Sequence, residues 1–317
     1  GTDGVTPQQN DAEHLFPVSI GTRPREFWVT GQTLCDPKKS STSKQIADAT
    51  FNISYIDGAV CSGDVYLDVV GFGNLPRSVT HAIEAAINVS QDLTTDAAMS
   101  GIFGFGFGTY NTIKPDPQPS FFKSFIPTLK APVFTIDLKR NGIETLNFGF
   151  LGYNAWTGPI TYVPLINGAE DWVAGFSGYT VAGSGIHQLE MYATIDSGTG
   201  AILLDKNAVD DYYSHISGAW YDDFNKGKVF PCKATVPDFT LHLSEDMTNT
   251  RKNLTIPGDY LRWGEISTPF SSSRRGNCLG GIQIAKEPGN LILGDMLLKS
   301  VFAVFDVGDR RIGFADK

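Results

Sequence analysis

Short runs in which apolar and polar residues alternate recur along this chain. Residues 51–55 and 239–243 follow a two-residue period, which predicts strands with one buried face and one face in solvent. The 34 glycines interrupt such runs and mark turns between them. Residues 207–213 have a helical pattern, with Asn207 as the candidate N-cap. The pattern therefore predicts a mainly β protein with a few short helices.

One strand-like run carries an aspartate at its end. Residues 193–201 read Ala-Thr-Ile-Asp-Ser-Gly-Thr-Gly-Ala, so Asp196 follows apolar residues and precedes a turn. A carboxylate next to apolar side chains needs hydrogen-bond donors around it. Ser197, Gly198 and Thr199 can supply hydroxyl and backbone N–H donors within a tight turn. Asp196 is therefore a candidate catalytic carboxylate, and a strand end with an Asx turn is the alternative from these residues alone.

Four motifs follow Asp196 in a fixed order. They are Phe-Pro-Cys at 230–232, Ile-Pro-Gly-Asp-Tyr at 256–260, Cys-Leu-Gly-Gly-Ile-Gln at 278–283 and Ile-Leu-Gly-Asp at 292–295. Together with Asp196-Ser197-Gly198-Thr199, this half of the chain resembles the pepsin-type aspartic endopeptidases, particularly the secreted enzymes of filamentous fungi. The resemblance implies a mainly β, bilobal pepsin-like acid protease fold with a deep cleft between the lobes. The N-terminal lobe would comprise residues 1–156 and the C-terminal lobe residues 157–317, as expected for a chain longer than a single core usually supports.

The first half resembles the same family. Residues 16–22 match its opening strand, residues 54–58 (Ser-Tyr-Ile-Asp-Gly) match the flap hairpin, and residues 100–104 match the first-lobe counterpart of 292–294. From its residues alone, the flap segment could be an ordinary surface hairpin. Residues 104–108 (Gly-Phe-Gly-Phe-Gly) lack the lysine of a phosphate loop and suit strand packing. The resemblance implies that an extended peptide is bound by the following residues: Tyr55, Asp57, Gly58, Gly198 and Thr199.

The first-lobe catalytic motif is missing from the sequence. In the family each lobe contributes one Asp-Thr/Ser-Gly, and the two carboxylates share a proton and activate a water. The first copy should lie between Thr22 and Trp28, where residues 23–27 read Arg-Pro-Arg-Glu-Phe. Two departures elsewhere point to lost activity: Gly200 replaces a usual hydroxyl residue, and Ile56 replaces a frequent flap glycine. One argument opposes a true loss of the motif. The missing strand would run through the middle of the first lobe, so its removal would leave buried neighbouring backbone groups without hydrogen-bond partners.

Three interpretations follow, and we favour the first. The chain is an inactive, peptide-binding pseudoprotease that uses Asp196 without a partner. Alternatively, it is an active acid aspartic endopeptidase whose first Asp-Thr-Gly segment this sequence omits. The third interpretation is recruitment of the scaffold to small-molecule chemistry with Asp196 alone. Replacement of the lost carboxylate by Glu26 or Asp36 is disfavoured, because neither is followed by Thr/Ser-Gly.

Cysteines and sequons indicate a secreted setting. The resemblance implies a Cys232–Cys278 disulfide in the second lobe, which would leave Cys35–Cys61 in the first, and an even cysteine count favours bridges. Glycosylation sequons begin at Asn52, Asn88 and Asn253. No signal peptide precedes Gly1 and no hydrophobic run is long enough to span a membrane, so we expect a mature, extracellular protein.

The net charge and the positions of the histidines argue against nucleic acid and metal ions as partners. The formal net charge is −9 and the isoelectric point is near 5.0, without a large Lys/Arg cluster, which argues against nucleic acid. The five histidines are scattered and show no zinc-site spacing. We therefore expect no metal, no cofactor and no membrane partner. The family resemblance implies a monomer that binds an extended peptide or protein substrate.

Overall fold

The computed structural model describes residues 2–7, 14–15, 18–20, 36–55, 58–72, 79–94, 101–108, 111–140, 142–166, 169, 171–266 and 276–317. The described chain is mainly β. Its strands up to residue 148 are β1 (Thr2–Pro7), β2 (His14–Leu15), β3 (Val18–Ile20), β4 (Lys44–Ser54), β5 (Val60–Phe72), β6 (Val79–Val89), β7 (Val133–Asp137) and β8 (Glu144–Phe148).

The later part of the chain supplies most of the strands. They are β9 (Thr157–Pro164), β10 (Val173–Val181), β11 (His187–Ile195), β12 (Ile202–Leu204), β13 (Trp220–Asp222), β14 (Gly227–Pro231), β15 (Phe239–Ser244), β16 (Thr250–Ile256), β17 (Arg262–Glu265), β18 (Asn277–Gly280), β19 (Ile282–Ile284), β20 (Leu291–Leu293), β21 (Val301–Asp306) and β22 (Arg311–Asp316). The helices are short: α1 (Phe121–Phe125), α2 (Lys206–Ser214), α3 (Asp295–Leu298) and the 3-10 turns Pro37–Lys39, Gln91–Thr94 and Ile126–Thr128.

Two compact units can be distinguished along the chain. The first comprises Gly1–Val5, Leu15–Val133 and Asn147–Phe150, and the second comprises Thr6–His14, Phe134–Leu146 and Leu151–Lys317. The division into lobes at 156/157 that the sequence implied stays a prediction.

The long strand β5 organises the first unit. It pairs antiparallel with β4, β6 and β3. In β4 the predicted alternation is confirmed, since Phe51 is buried while Asn52 and Ser54 are exposed. Phe51 packs with Ala49, Val65 and Ile113 in one core cluster. The alternation therefore gives β4 one face for the core and one for solvent.

Five phenylalanines form a second cluster in the first unit. In eight pairs among them the ring centroids lie between 4.3 and 6.5 Å apart, and the members are Phe72, Phe103, Phe105, Phe121 and Phe148. Residues 101–108, which include two of these rings, form neither helix nor strand, so the strand predicted there is wrong. Glycines at 101, 104, 106 and 108 weaken a strand, whereas the rings between them still pack. The described residues 101–104 thus match 292–294 in sequence but not in secondary structure.

The second unit contains the sheet that carries Asp196. Its strand order is β16-β15-β10-β11-β20-β12-β19, and a four-stranded sheet follows the order β13-β14-β18-β17. In β15 the expected half-burial is wrong at His242, which is buried. The His242 ring lies 2.7 Å from the Thr180 hydroxyl and 2.8 Å from Asn253 Oδ1, so polar partners allow its burial.

Helix α2 confirms the helical pattern but not its predicted cap. The helix begins at Lys206, and the N-cap is Asp205, whose backbone is extended at φ −61° and ψ 147°. Asn207 therefore lies inside the first turn. Ala208, Val209, Tyr212 and Tyr213 are the buried face of the helix. The helix begins earlier than predicted because strand β12 ends at Leu204, directly before the cap.

Candidate active site around Asp196

Asp196 follows β11, a strand whose last residues alternate between buried and more exposed positions. Strand β11 pairs in parallel with β20, with Ala193 opposite Leu291 and Ile195 opposite Leu293. The Asp196 N–H continues this ladder by donating to the Leu293 carbonyl at 3.2 Å. Ile195 is 3% exposed, whereas Asp196 is half-buried. The pairing of β11 with β20 therefore places the Asp196 carboxylate at the boundary of the hydrophobic core.

Two donors of the turn hold the carboxylate. The Gly198 N–H donates to Asp196 Oδ1 at 2.8 Å, and the Thr199 hydroxyl donates to Oδ2 at 2.7 Å. The predicted turn donors at Gly198 and Thr199 are thus present, and the described contacts include none from Ser197 to this carboxylate. An ionised carboxylate has about four acceptor positions, and these bonds use two of them. The remaining positions are available for a water or a ligand group.

The residues that follow β20 hold the Asp196 turn in place through backbone hydrogen bonds. The Asp295 N–H donates to the Thr199 carbonyl at 2.9 Å, and the Gly294 N–H donates to the Ala201 carbonyl at 3.1 Å. A Cβ placed on Gly294 would lie 1.8 Å from the Thr199 oxygen and 2.4 Å from the Ala201 oxygen. Only glycine permits this close passage, which accounts for the Gly294 in the motif at 292–295.

Sequence reasoning missed Trp263, a neighbour of the turn. A Cβ placed on Gly200 would lie 2.8 Å from Trp263 Cζ2 and 3.3 Å from Cη2. The indole occupies the space into which a hydroxyl side chain at position 200 would extend. The signal was already in the sequence: Gly200 departed from the family's usual residue, but its partner lies 63 positions later in the chain.

The predicted flap is a hairpin of the first unit. The Tyr55 N–H donates to the Ala59 carbonyl at 2.8 Å, and the Gly58 N–H donates to the Tyr55 carbonyl at 3.0 Å. Gly58 has φ +101°, a conformation that favours glycine. Tyr55 is half-buried. Asp57 and Ile56 lie outside the described residues, so the peptide contacts assigned to this hairpin stay predictions.

Asp36 and Glu26 are the two alternative carboxylates, and neither is shown in a hydrogen-bonded turn like that of Asp196. Asp36 is exposed and caps the 3-10 turn Pro37–Lys39 by accepting from the Lys38 N–H at 3.1 Å. Asp36 thus has a local structural use. Glu26 lies outside the described residues, as does the whole stretch where the first catalytic motif was sought.

One of the two expected disulfides is present. Cys232 and Cys278 are joined, with their Cα atoms 4.9 Å apart, and the bridge lies where β14 pairs with β18. Cys61 forms no disulfide with another described residue, and the pKa of its thiol is raised by burial and by the charge of Glu84. Its predicted partner Cys35 lies outside the described residues, so that pairing stays a prediction.

The sequon asparagines are all exposed. Asn52 and Asn253 lie on β4 and β16, and Asn88 lies on β6, where its amide is 3.4 Å from the Ser62 hydroxyl. Exposure leaves each side chain accessible to modification, and occupancy stays a prediction.

The described residues contain neither a candidate metal site nor a candidate membrane-spanning helix. Within them, no three His, Cys, Asp or Glu side chains are grouped as metal ligands would be. In the same described part of the chain, no helix has the length and apolar character needed to cross a bilayer.

Comparison with known proteins places the chain in a family. The profile described as eukaryotic aspartyl protease matches residues 15–317. Endothiapepsin from Cryphonectria parasitica is 36% identical over 341 aligned positions, covering 100% of this chain and 78% of endothiapepsin. Penicillopepsin-1 from Penicillium rubens is 34% identical, covering 99% of this chain and 81% of the relative. The chain therefore belongs to the eukaryotic aspartyl protease family.

A solved structure supports the fold. The aspartic proteinase from Irpex lacteus matches with a TM-score of 0.76 at 18% sequence identity, covering 100% of this chain and 97% of the other. This likeness, at such low identity, concerns the fold alone. The mainly β, bilobal pepsin-like fold implied by the sequence is confirmed, as is the resemblance to fungal pepsin-type enzymes.

Proposed function

We propose that this chain is an extracellular, peptide-binding member of the aspartyl protease family that does not cleave peptides. The observation that carries the proposal is the single Asp-Ser-Gly at 196–198, because the sequence contains no second Asp-Thr/Ser-Gly. The well-formed Asp196 turn supports a retained scaffold. The chain would act as a monomer and without a cofactor.

Peptide hydrolysis in this family requires proton transfer at two places. A base must take a proton from the attacking water, and an acid must protonate the leaving nitrogen. Two carboxylates that share one proton can supply both functions at the same time. Asp196 alone is either ionised or protonated when the water attacks, so it can supply only one of them. Asp196 alone would therefore not catalyse efficient cleavage of a peptide bond.

Peptide binding does not require the second catalytic carboxylate that peptide cleavage requires. An extended peptide is recognised mainly through backbone hydrogen bonds and a few side-chain contacts. The Asp196 carboxylate retains acceptor positions, and Gly198 is exposed beside it. Tyr55, Asp57 and Gly58 would contribute from the flap hairpin, as the family resemblance implies. The proposed ligand is thus an extended peptide or an unfolded segment of a protein.

The test is a protease assay at acidic pH on protein whose intact mass has been verified. We expect negligible cleavage of an unfolded protein, and the same result for Asp196→Asn, which keeps the size of the side chain and removes its ability to ionise. Peptide affinity measured by calorimetry on both proteins reports binding separately. Robust cleavage that disappears in Asp196→Asn would contradict the proposal, because it would require a second carboxylate.

One observation favours the active endopeptidase as the second candidate. The alignment with endothiapepsin extends over 341 positions, more than the 317 residues of this chain, so the relative carries residues without a counterpart here. A segment with the first Asp-Thr-Gly would account for part of this difference. If the native protein has a larger intact mass than this sequence predicts and cleaves protein at acidic pH, the endopeptidase interpretation replaces ours. Cleavage at the predicted mass would direct attention to Glu26→Gln and Asp36→Asn.

A further inference from the structure

A pocket of about 340 Å³ lies in the first unit, beside strand β4. Two stretches of chain contribute its walls, residues 50–52 on β4 and the segment 111–114. The described residues that line it include one cation and no carboxylate, and they are Thr50, Phe51, Asn52, Asn111, Thr112 and Lys114. Asn52 is exposed and begins one of the three glycosylation sequons. The pocket therefore adjoins a position at which a sugar can be attached.

The pocket opens where a strand ladder is interrupted. Thr50 and Lys114 form an isolated β-bridge, in which the Thr50 N–H donates to the Lys114 carbonyl at 3.0 Å and the Lys114 N–H donates to the Thr50 carbonyl at 2.8 Å. In an antiparallel ladder the next hydrogen-bonded pair would join Asn52 and Thr112. The bridge is isolated, so that pair does not form, and the pocket lies in the gap between the two segments.

The wall opposite β4 is fixed by a side chain. Asn111 Oδ1 accepts from the Ile113 N–H and the Gln118 N–H, both at 3.3 Å, and its amide nitrogen donates to the Gln118 carbonyl. Ile113 is 3% exposed and packs with Phe51 in a core cluster. The wall therefore has a defined position without a ligand.

Two side chains of this wall can donate to a ligand. The Thr112 hydroxyl oxygen is buried and has no hydrogen-bond partner among the described residues. A buried hydroxyl without a partner costs free energy, which a ligand with a polar group at that place would recover. Lys114 is exposed and can supply N–H donors. A hydroxyl and an ammonium group together suit a ligand with several oxygen acceptors, such as a sugar.

Asn52 differs from the other two sequon asparagines in its surroundings. The Asn253 carboxamide oxygen lies 2.8 Å from the His242 ring, and the Asn88 amide donates to the Ser62 hydroxyl at 3.4 Å. Neither Asn88 nor Asn253 lines the pocket. Among the three sequons, therefore, only a sugar on Asn52 would have this cavity beside its point of attachment.

We propose that Asn52 is N-glycosylated and that its first N-acetylglucosamine occupies this pocket, where Thr112 and Lys114 donate hydrogen bonds to it. In the modification the Asn52 amide nitrogen bonds to the anomeric carbon of a lipid-diphosphate oligosaccharide, the bond from that carbon to the diphosphate oxygen breaks, and the amide loses one proton to the transferase. The sugar covers the gap beside β4, where a strand of another chain could otherwise pair. This inference rests on the extracellular setting of the proposed function and not on peptide binding.

The first test is the occupancy of Asn52. The full chain is produced through the secretory pathway of a yeast, and its glycopeptides are analysed by mass spectrometry. We expect a glycan on Asn52 in most molecules, and an unmodified Asn52 overturns the inference. A native protein without sugar on any sequon overturns the extracellular setting as well as this inference. The assays for cleavage and peptide binding are separate from both results.

The second test is whether the sugar lies in the pocket. An endoglycosidase trims each glycan to one N-acetylglucosamine, and urea unfolding is measured for the wild type, Ser54→Ala, Thr112→Val and the double variant. Ser54→Ala removes the sequon and retains Asn52. The single sugar should raise the urea midpoint by about 0.2–0.7 M for each hydrogen bond that it gains. This gain should be smaller in the Thr112→Val background, because the sugar loses one donor.

Two controls accompany this comparison. Ser54→Thr retains the sequon and should behave as the wild type, and Asn88→Gln removes a sugar outside the pocket and should not change the midpoint comparably. If Ser54→Ala does not fold, enzymatic removal of the last sugar from folded wild type and from Thr112→Val replaces it. Equal midpoints with and without the Asn52 sugar overturn the inference, and so does an equal gain in the Thr112→Val background.

Discussion

Substitution of Gly294 by alanine tests how the Asp196 turn is held. The new Cβ would lie 1.8 Å from the Thr199 carbonyl oxygen and 2.4 Å from that of Ala201. Both obstacles are backbone atoms, so no side-chain rotation relieves the contact. The chain must separate at this point, which breaks the Gly294–Ala201 and Asp295–Thr199 hydrogen bonds.

The cost can be estimated from these contacts. Overpacking in a well-packed core costs about 1–3 kcal/mol, and each lost hydrogen bond adds about 0.5–1.5 kcal/mol. We therefore expect the free energy of unfolding to fall by about 2–6 kcal/mol. With an m-value of about 2–3 kcal/mol/M, the urea midpoint should fall by about 0.7–3 M.

The assay is urea unfolding followed by tryptophan fluorescence, for which Trp172 is a buried probe in the same unit. Gly185→Ala is the matched control, because a Cβ at Gly185 meets no atom within 4 Å and the residue is exposed. Both substitutions restrict the unfolded chain equally, so that contribution cancels in the comparison. If Gly294→Ala unfolds at the same midpoint as Gly185→Ala, the close passage described here is wrong.

Two further predictions concern stability. Burial lowers the pKa of Lys317 to about 8 from 10.5, so between these values the unfolded chain binds more protons; the free energy of unfolding should rise with pH over this window by at most about 3 kcal/mol. Urea unfolding across a pH series should lose this rise in Lys317→Met, and a slope that persists there would assign it to other groups. Removal of the disulfide in a Cys232→Ala/Cys278→Ala double variant should cost about 4 kcal/mol, because the bridge closes a loop of 46 residues. Thermal or urea unfolding beside the intact protein measures this loss, and equal stability would show that the bridge contributes nothing.

The candidate site was predictable from the sequence as far as it depends on local chemistry. The Asp196 turn with its Gly198 and Thr199 donors follows from a short motif whose residues carry their own structural requirements. The Cys232–Cys278 bridge was implied by the family resemblance. The half-buried strand at 51–55 was predictable for the same reason, since alternation acts over neighbouring residues. The helix at 206–214 was found, but its first residue depends on where the preceding strand ends.

What could not be predicted depends on contacts between distant positions. Trp263 meets Gly200 only because a bulge turns it, and the period of a single strand contains no sign of an extra residue in a pair. His242 is buried because Thr180 and Asn253 supply polar partners from the neighbouring strands. Residues 101–108 share the sequence pattern of β20 without its strand structure, because four glycines among eight residues weaken a strand.

The pairing of β11 with β20 has a consequence for how the protein forms. Ile195 and Leu293 are far apart along the chain, so their parallel ladder closes a long loop, and contacts of this kind form slowly during folding. Asp196, Gly198 and Thr199 are synthesised before β20 (Leu291–Leu293), the strand that supports them. The Asp196 turn therefore gains its hydrogen bonds to Leu293, Gly294 and Asp295 only after β20 has been synthesised, and a growing chain does not present the complete turn before then.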